Sequence, residues 1–164
     1  MEAAEDMHEV SLSVNGKAVS QSVSSRTLLC DFIRDDLQLV ATHIGCGEGV
    51  CGSCTIIIDG HPARSCTLLA VQVDGSSIVT IEGLNPEAGL NKVQAAFQQF
   101  HALQCGFCTP GLLATVQSMV EARLPADDDT IIAHLSGHLC RCTGYVNILK
   151  AVRSLLAQHT GPAT

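Results

Sequence analysis

The sequence is poor in charge: Asp, Glu, Lys and Arg together make up only 15% of it. Within that small share acids outnumber bases 16 to 9, a formal net charge of −7 with histidine neutral. Such a balance lacks the cationic surface that nucleic acid or anionic lipid requires. No run reaches the ~18–20 consecutive apolar residues of a membrane span. The first six residues, MEAAED, carry no basic segment and lead into no apolar stretch, so a secretory signal is missing too. These absences predict a cytoplasmic protein in a compartment that keeps thiols reduced. What the chain does have is 46% apolar residues over 164 positions, enough for a real core in one domain or two small ones. Little charge beside that much apolar content predicts that part of the surface meets other protein.

Nine cysteines are present, and eight of them fall into two sets of four. Cys46, Cys51, Cys54 and Cys66 read C-x4-C-x2-C with a distant fourth, the spacing of a plant-type [2Fe–2S] ferredoxin. Cys105, Cys108, Cys140 and Cys142 answer a C-x2-C pair with a C-x-C pair. A disulfide framework is disfavoured by the compartment, by the odd count, and by the one-residue gap between Cys140 and Cys142. Structural zinc is the competing use of four thiolates. The first loop argues against zinc, because Gly45, Gly47, Gly49 and Gly52 interleave with its cysteines. Glycine lets a backbone wrap a cluster closely and aim its N–H groups at sulfur. For the second set, spacing alone leaves zinc open.

Three other features invite readings that context weakens. Gly47, Gly49 and Gly52 spell a dinucleotide-binding fingerprint, but they run into a strand pattern at residues 55–59 where that motif needs a helix. Cys30 stands apart from both sets and reads as a small buried hydrophobe. His43, His134 and His138 suggest a mixed His–Cys centre, yet each set already has four thiols, so the histidines read as solvated or packing groups. His138, two residues before Cys140, is placed to tune a potential.

The apolar pattern changes period partway along. Val10, Leu12 and Val14 alternate, Asn15-Gly16 supplies a type I′ turn, and a return strand follows over residues 18–23. Ser24 or Ser25 is placed to cap a helix with Leu28, Leu29, Phe32, Ile33 and Leu37 on one face. Residues 55–59 read as a buried strand, Asp59-Gly60 as a second turn, and residues 77–81 as a last strand. The turn-rich segment 83–89 predicts a linker. Beyond it Val93, Ala96, Phe97 and Phe100 recur at helical spacing, and Thr109-Pro110 reads as a capped helix start. Helices beginning near Asp128 and carrying Ile148 to Leu156 complete four, the makings of a bundle, before a polar tail at residues 161–164. The fold class is therefore α+β, with a strand-rich domain over residues 1–83 and a helical one over 84–164. Cys108 and Cys142 each precede a helix, where unpaired N–H groups suit an anionic cluster.

Residues 45–55 (GCGEGVCGSCT), 64–67 (RSCT), 104–111 (QCGFCTPG) and 139–145 (LCRCTGY) together resemble the iron–sulfur module of xanthine oxidase family molybdenum hydroxylases. The likeness runs over residues 10–152. It implies a β-grasp, plant-ferredoxin-like domain followed by a four-helix [2Fe–2S] domain. It implies that the eight cysteines hold two [2Fe–2S] clusters, and that Gln104 and Cys142 touch the pterin of a molybdenum cofactor. The helical cluster would lie next to that pterin and the ferredoxin-like one nearer a flavin or external acceptor. One departure shows: the family usually has asparagine where this chain has His138.

A chain of 164 residues has no room for the flavin and molybdenum domains that follow the module in single-chain members. The resemblance therefore implies a separate small subunit. Its partners would be a large subunit binding molybdopterin, in the cytosine dinucleotide form, and a medium subunit binding FAD, in a dimer of heterotrimers. The expected reaction of the whole is oxidative hydroxylation of a small substrate, an N-heteroaromatic ahead of an aldehyde, a purine or carbon monoxide. No catalytic residue is expected on this chain. A free-standing two-cluster electron carrier is the alternative, and a zinc-stabilised interaction module a third reading.

Overall fold

The computed structural model describes residues 6–85 and 89–158. Residues 86–88 of the expected linker, and the expected tail at 161–164, lie outside the described residues. β1 (Met7–Val14) and β2 (Lys17–Ser24) form an antiparallel hairpin. Its turn is Asn15-Gly16, both with positive φ (52° and 77°), as a right-twisted two-residue hairpin requires. β3 (Thr55–Ile58) and β4 (His61–Arg64) make a second hairpin around Asp59-Gly60. β5 (Ser77–Val79) lies between the two hairpins, parallel to β1 and antiparallel to β3. The sheet order is β2-β1-β5-β3-β4. This arrangement, with one helix lying across the sheet, is the expected α+β ferredoxin-like core.

That helix starts later than the sequence pattern predicts. Ser24 ends β2, and α1 (Leu29–Asp31) is capped by the backbone of Leu28 with no side-chain hydrogen bond. The Ser24 hydroxyl only accepts the N–H of Arg26 at 3.5 Å, and Leu28 is instead bridged to Leu69. Sheet pairing outcompetes the cap. Beyond Asp31 the helix widens into a π-turn over Phe32–Asp36, closed by Leu37 N–H donating to the Phe32 carbonyl at 3.0 Å. Leu29, Phe32 and Ile33 are buried against Val10, Leu12, Val14, Val23, Ile56 and Ile78. Each such side chain contributes ~1.5–3 kcal/mol by leaving water.

The second half holds α2 (Lys92–Gln99), α3 (Thr109–Glu121), α4 (Asp128–Leu135) and α5 (Val146–Ala157). Asn91 caps α2 through a reciprocal box with Gln94, and α4 begins at Asp128 as expected, capped by Asp127 through Thr130 N–H. The start of α3 also differs from the sequence reading. Thr109 is already helical, and the N-cap is Cys108, in αR geometry with no side-chain cap bond; Pro110 does sit in the first turn. Val93, Phe97, Leu112, Val116, Met119, Ile131, Ile148 and Leu156 fill the core between the four helices.

The two halves pack directly, α3 lying against β3. At the point of closest approach Gly52 faces Gly111 and His138. A Cβ built on Gly111 would stand 2.2 Å from the Gly52 carbonyl oxygen, so nothing larger than glycine fits at that crossing. Gly52 has φ +77°, and a Cβ there would come within 2.5 Å of the Gly137 carbonyl. Among the described residues, three hydrogen bonds span the contact. Leu139 N–H donates to the Cys51 carbonyl at 2.9 Å, Arg64 Nη2 to the Gly137 carbonyl at 2.7 Å, and His43 Nδ1 to the Phe107 carbonyl at 2.8 Å. The His43 ring also stacks on Phe107, with centroids 4.8 Å apart.

Candidate metal centres

The first four-cysteine set sits on the loop between α1 and β3 and on the turn after β4. Gly47, Gly49 and Gly52 all adopt positive φ, which winds the loop around its own sulfurs. Glu48 and Cys51 donate their N–H groups to Cys46 Sγ, and Gly49 to Cys66 Sγ, each at 3.3 Å. No helix follows the glycines, since Cys54 leads straight into β3. The dinucleotide fingerprint therefore lacks the helix its chemistry needs, as the sequence context indicates.

Among the described residues, no group of three or more His, Cys, Asp or Glu side chains closes on a single point. The thiols instead influence one another in twos: Cys51 shifts the proton affinity of Cys46, Cys54 that of Cys66, Cys140 that of Cys108, and Cys105 that of Cys142. Two pairs of thiols facing each other suit a diamond of two irons and two sulfides, in which each iron takes two protein sulfurs. The donor set and the N–H cradle thus fit the group that the spacing implies.

The free thiols are not equivalent. Hydrogen bonds from the Cys51 and Glu48 N–H groups pull exposed Cys46 down to about 7. Burial pushes Cys66 up to about 11 and Cys108 up to about 12, in each case helped by the thiol partner. For Cys140, burial works upward, but the Thr143 hydroxyl with the backbone N–H groups of Thr143 and Cys142 and the Cys108 thiol outweighs it, so the net direction is down. Cys142 moves up, chiefly through its hydrogen bond to Cys105.

Exposure differs among the eight. Cys46, Cys105 and Cys142 are exposed, while Cys54, Cys66 and Cys108 are buried. Cys51 and Cys140 are half-buried and lie at the junction, where the Cys51 carbonyl accepts the N–H of Leu139, the residue before Cys140. Gln104, beside Cys105, is exposed on the surface that presents Cys142.

The remaining candidates take clear places. Cys30 is buried, as its reading as a small hydrophobe requires, but it packs against Cys54 and Cys66, a proximity its sequence position does not show. Burial raises its thiol to about 12, with the Asp31 carboxylate adding to the effect. His134 is exposed, whereas His138 is wholly buried. His138 Nε2 shares a 2.7 Å hydrogen bond with Thr115 Oγ1, and its Nδ1 finds no partner among the described residues. Burial, then the charge of Arg64, pushes this imidazole down to about 4. Arg64, Thr115 and Tyr145 are structural members of the site whose roles sequence reasoning missed. Arg64 and Tyr145 lie within the quoted motifs, but the Arg64 partner is 73 residues away.

Comparison with known proteins agrees with this geometry. Residues 12–93 match the model of a 2Fe-2S iron-sulfur cluster binding domain, and residues 80–153 that of a [2Fe-2S] binding domain. The chain is 54% identical over 151 residues to caffeine dehydrogenase subunit gamma of Pseudomonas sp. (strain CBB1), covering 90% of each protein. It is 46% identical over 147 residues to the nicotine 6-hydroxylase small subunit of Paenarthrobacter nicotinovorans, covering 90% of this chain and 88% of that protein. Among solved structures, a chain of quinoline 2-oxidoreductase from Pseudomonas putida 86 superposes with a TM-score of 0.88 at 46% identity, covering 93% of this chain and 94% of that one.

Proposed function

The chain belongs to the iron–sulfur subunits of the xanthine oxidase family of molybdenum hydroxylases, and from that premise we propose how its residues carry electrons through the complex. As a member it is the electron-transfer subunit of an oxidoreductase, holds two [2Fe–2S] clusters and works with larger partner subunits. We assign Cys46, Cys51, Cys54 and Cys66 to the ferredoxin-like cluster, and Cys105, Cys108, Cys140 and Cys142 to the helical one. The domains divide at residues 83 and 84, one cluster to each. A cluster in either place supplies one-electron storage; everything else is done by the chain around it.

The observation that carries this reading is that each set has exposed thiols and that the two cysteine loops touch. Cys142 and Cys105 are exposed in one set and Cys46 in the other, and the loop of Cys51 meets that of Cys140 where the Leu139 N–H donates to the Cys51 carbonyl. Electrons enter past Cys142, where Gln104 and Cys142 contact the pterin of a molybdenum cofactor on the large subunit. They leave past Cys46 toward FAD on a medium subunit or an external acceptor. Apolar side chains left in solvent beside each end fit contact with those partners: Leu139 and Val146 near Cys142, and Val50 near Cys46. A cytosine dinucleotide cofactor, a dimer of heterotrimers and a cytoplasmic location complete the proposal. Relatives named for caffeine, nicotine and quinoline, all nitrogen-containing aromatics, support an N-heteroaromatic substrate for the whole enzyme. That substrate meets the partner subunit, not this chain.

The experiment is isolation of the native complex with metal, flavin and pterin analysis, followed by Gln104→Ala. The complex should contain molybdenum, FAD and four irons per small subunit, giving two electron paramagnetic resonance signals. Gln104→Ala should keep both signals and slow reduction of the helical cluster after substrate is added, since a lost buried contact costs ~1–3 kcal/mol. Parental reduction rates with normal cofactor content would remove Gln104 from the route. A chain that purifies alone and turns over with soluble acceptors would favour the free-standing carrier instead.

A further inference from the structure

Cys140 is gripped at both ends by side chains of its own loop. Its N–H donates to the Tyr145 hydroxyl at 2.7 Å, and that hydroxyl donates onward to the His138 carbonyl at 3.0 Å. Tyr145 reaches this position because it opens α5 in the left-handed region, with φ 65°. At the other end the Cys140 sulfur faces Thr143 Oγ1 at 3.1 Å. The same Thr143 oxygen accepts the N–H of Tyr145 at 3.2 Å. A hydroxyl has one proton to give. With a lone pair engaged by the Tyr145 N–H, the Thr143 proton is left to point at sulfur.

The ferredoxin-like set is served differently. Its sulfurs receive backbone N–H groups from Glu48, Gly49 and Cys51, donors that do not depend on any side chain. The helical set adds a side-chain hydroxyl to its loop, so its electrostatics can be changed by a single substitution. A hydrogen bond to a thiolate withdraws negative charge from it and favours whichever oxidation state is more negative.

We propose that Thr143 is a potential-setting residue of the helical centre, its hydroxyl donating to Cys140 sulfur and raising the ease of one-electron reduction there; this rests on the assignment of Cys140 as an iron ligand. The step is one electron in, with no bond broken and no proton taken. Thr143 acts through Cys140 and positions charge. A donor at this centre, the first in line from the electron source, draws electrons into the subunit.

The test is a potentiometric titration of the holoprotein, following both paramagnetic signals, for the parent, Thr143→Val, Thr143→Ala and Thr143→Ser, with Cys140→Ser alongside. Thr143 is half-buried, and valine has nearly its shape. The expected result is a lower potential for the helical centre in the valine and alanine variants, and a parental one in the serine variant. The ferredoxin-like potential should stay unchanged and iron should remain at four per chain. Loss of only the helical signal in Cys140→Ser would uphold the ligand assignment. If that holds and the valine and alanine potentials are still parental, the Thr143 role is wrong on its own account. If Cys140→Ser keeps both centres with parental spectra and potentials, the ligand assignment fails and the proposal with it; a helical centre retained with an altered spectrum is oxygen-ligated and upholds the assignment. Hydroxyl-free variants that take up no helical iron, while serine does, would overturn it by making the hydroxyl a requirement for assembly.

Discussion

At the scale of single residues, two buried groups beside the clusters give separable expectations. Cys30 touches Cys54 and Cys66, yet burial and Asp31 hold its proton firmly, and its S–H points to Asp31 Oδ1 at 3.5 Å. A raised thiol does not by itself exclude iron, since Cys108 is raised as far; but the first set has its four thiols without Cys30, whose S–H is engaged by Asp31. Cys30→Ser should therefore keep four irons per chain and both signals, at a stability cost of ~1–2 kcal/mol for burying a more polar atom. Iron analysis and denaturant melts check this, and loss of the ferredoxin-like signal would make Cys30 a ligand. His138 bears on acid stability. Its imidazole lies at about 4 in the fold against the ordinary 6.5 of a free histidine. Between those values the unfolded chain binds a proton that the folded one refuses, so stability is complete above about 6.5 and declines as pH falls toward 4. The slope is up to ~1.4 kcal/mol per pH unit for one proton. His138→Asn should lack this component, seen as a shallower loss of denaturant midpoint between pH 7 and pH 5. Parallel curves for the two proteins would show that His138 protonates without penalty.

At the scale of elements, α3 links the second cluster to the first half. It begins at Cys108, which we assign to the helical cluster, and Gly111 in its first turn lets it lie on the Gly52 carbonyl. Two effects of Gly111→Ala oppose each other. Alanine favours a helix over glycine by ~1 kcal/mol. A Cβ standing 2.2 Å from a backbone oxygen must push the loop or the helix aside, and overpacking of that kind costs ~1–3 kcal/mol. Backbone cannot rotate away as a side chain can, so the clash should win. The variant is expected to melt lower and to lengthen the Leu139–Cys51 hydrogen bond. The measurement is a thermal melt together with magnetic coupling between the two reduced centres, and a melt above the parent's would mean that α3 slides freely. The π-turn after α1 is an element-scale feature of another kind, placing both Phe32 and Ile33 in the sheet core.

At the scale of the molecule, function depends on the two halves keeping one relative position. Arg64 anchors it from β4. Its guanidinium donates to Thr55 Oγ1 within its own half and to the Gly137 carbonyl of the other. A charged donor to a part-buried acceptor contributes ~1.5–3 kcal/mol. Arg64→Ala should lower stability by about that amount and weaken coupling between the centres while leaving four irons bound. Arg64→Lys, with a single ammonium in place of the planar fork, should recover only part of the loss. Unchanged coupling in the alanine variant would show that the Leu139 N–H bridge and glycine packing suffice. With the junction held, the two cysteine loops stay in contact through the Leu139 N–H and the Cys51 carbonyl.

The sequence by itself determined the chemistry. Ligand spacing, interleaved glycines and the change from period 2 to helical period are local patterns, and they were enough for the first cluster set, the α+β class and the order of elements; for the second set spacing left zinc open, and the resemblance implied its cluster. It misplaced the caps at Ser24 and Thr109, because a hydroxyl before an apolar run has the same signature whether or not a strand or a ligand loop claims it first. Tertiary structure alone decided which thiols pair, that Cys30 stands against Cys54 and Cys66, and that Arg64 reaches Gly137. Only the fold, too, set the Cys51 carbonyl against the Leu139 N–H. These are contacts between segments tens of residues apart, set by how α3 and the 137–139 turn close on the first loop. No local pattern encodes the distance between two clusters; packing across Gly52, Gly111 and His138 does.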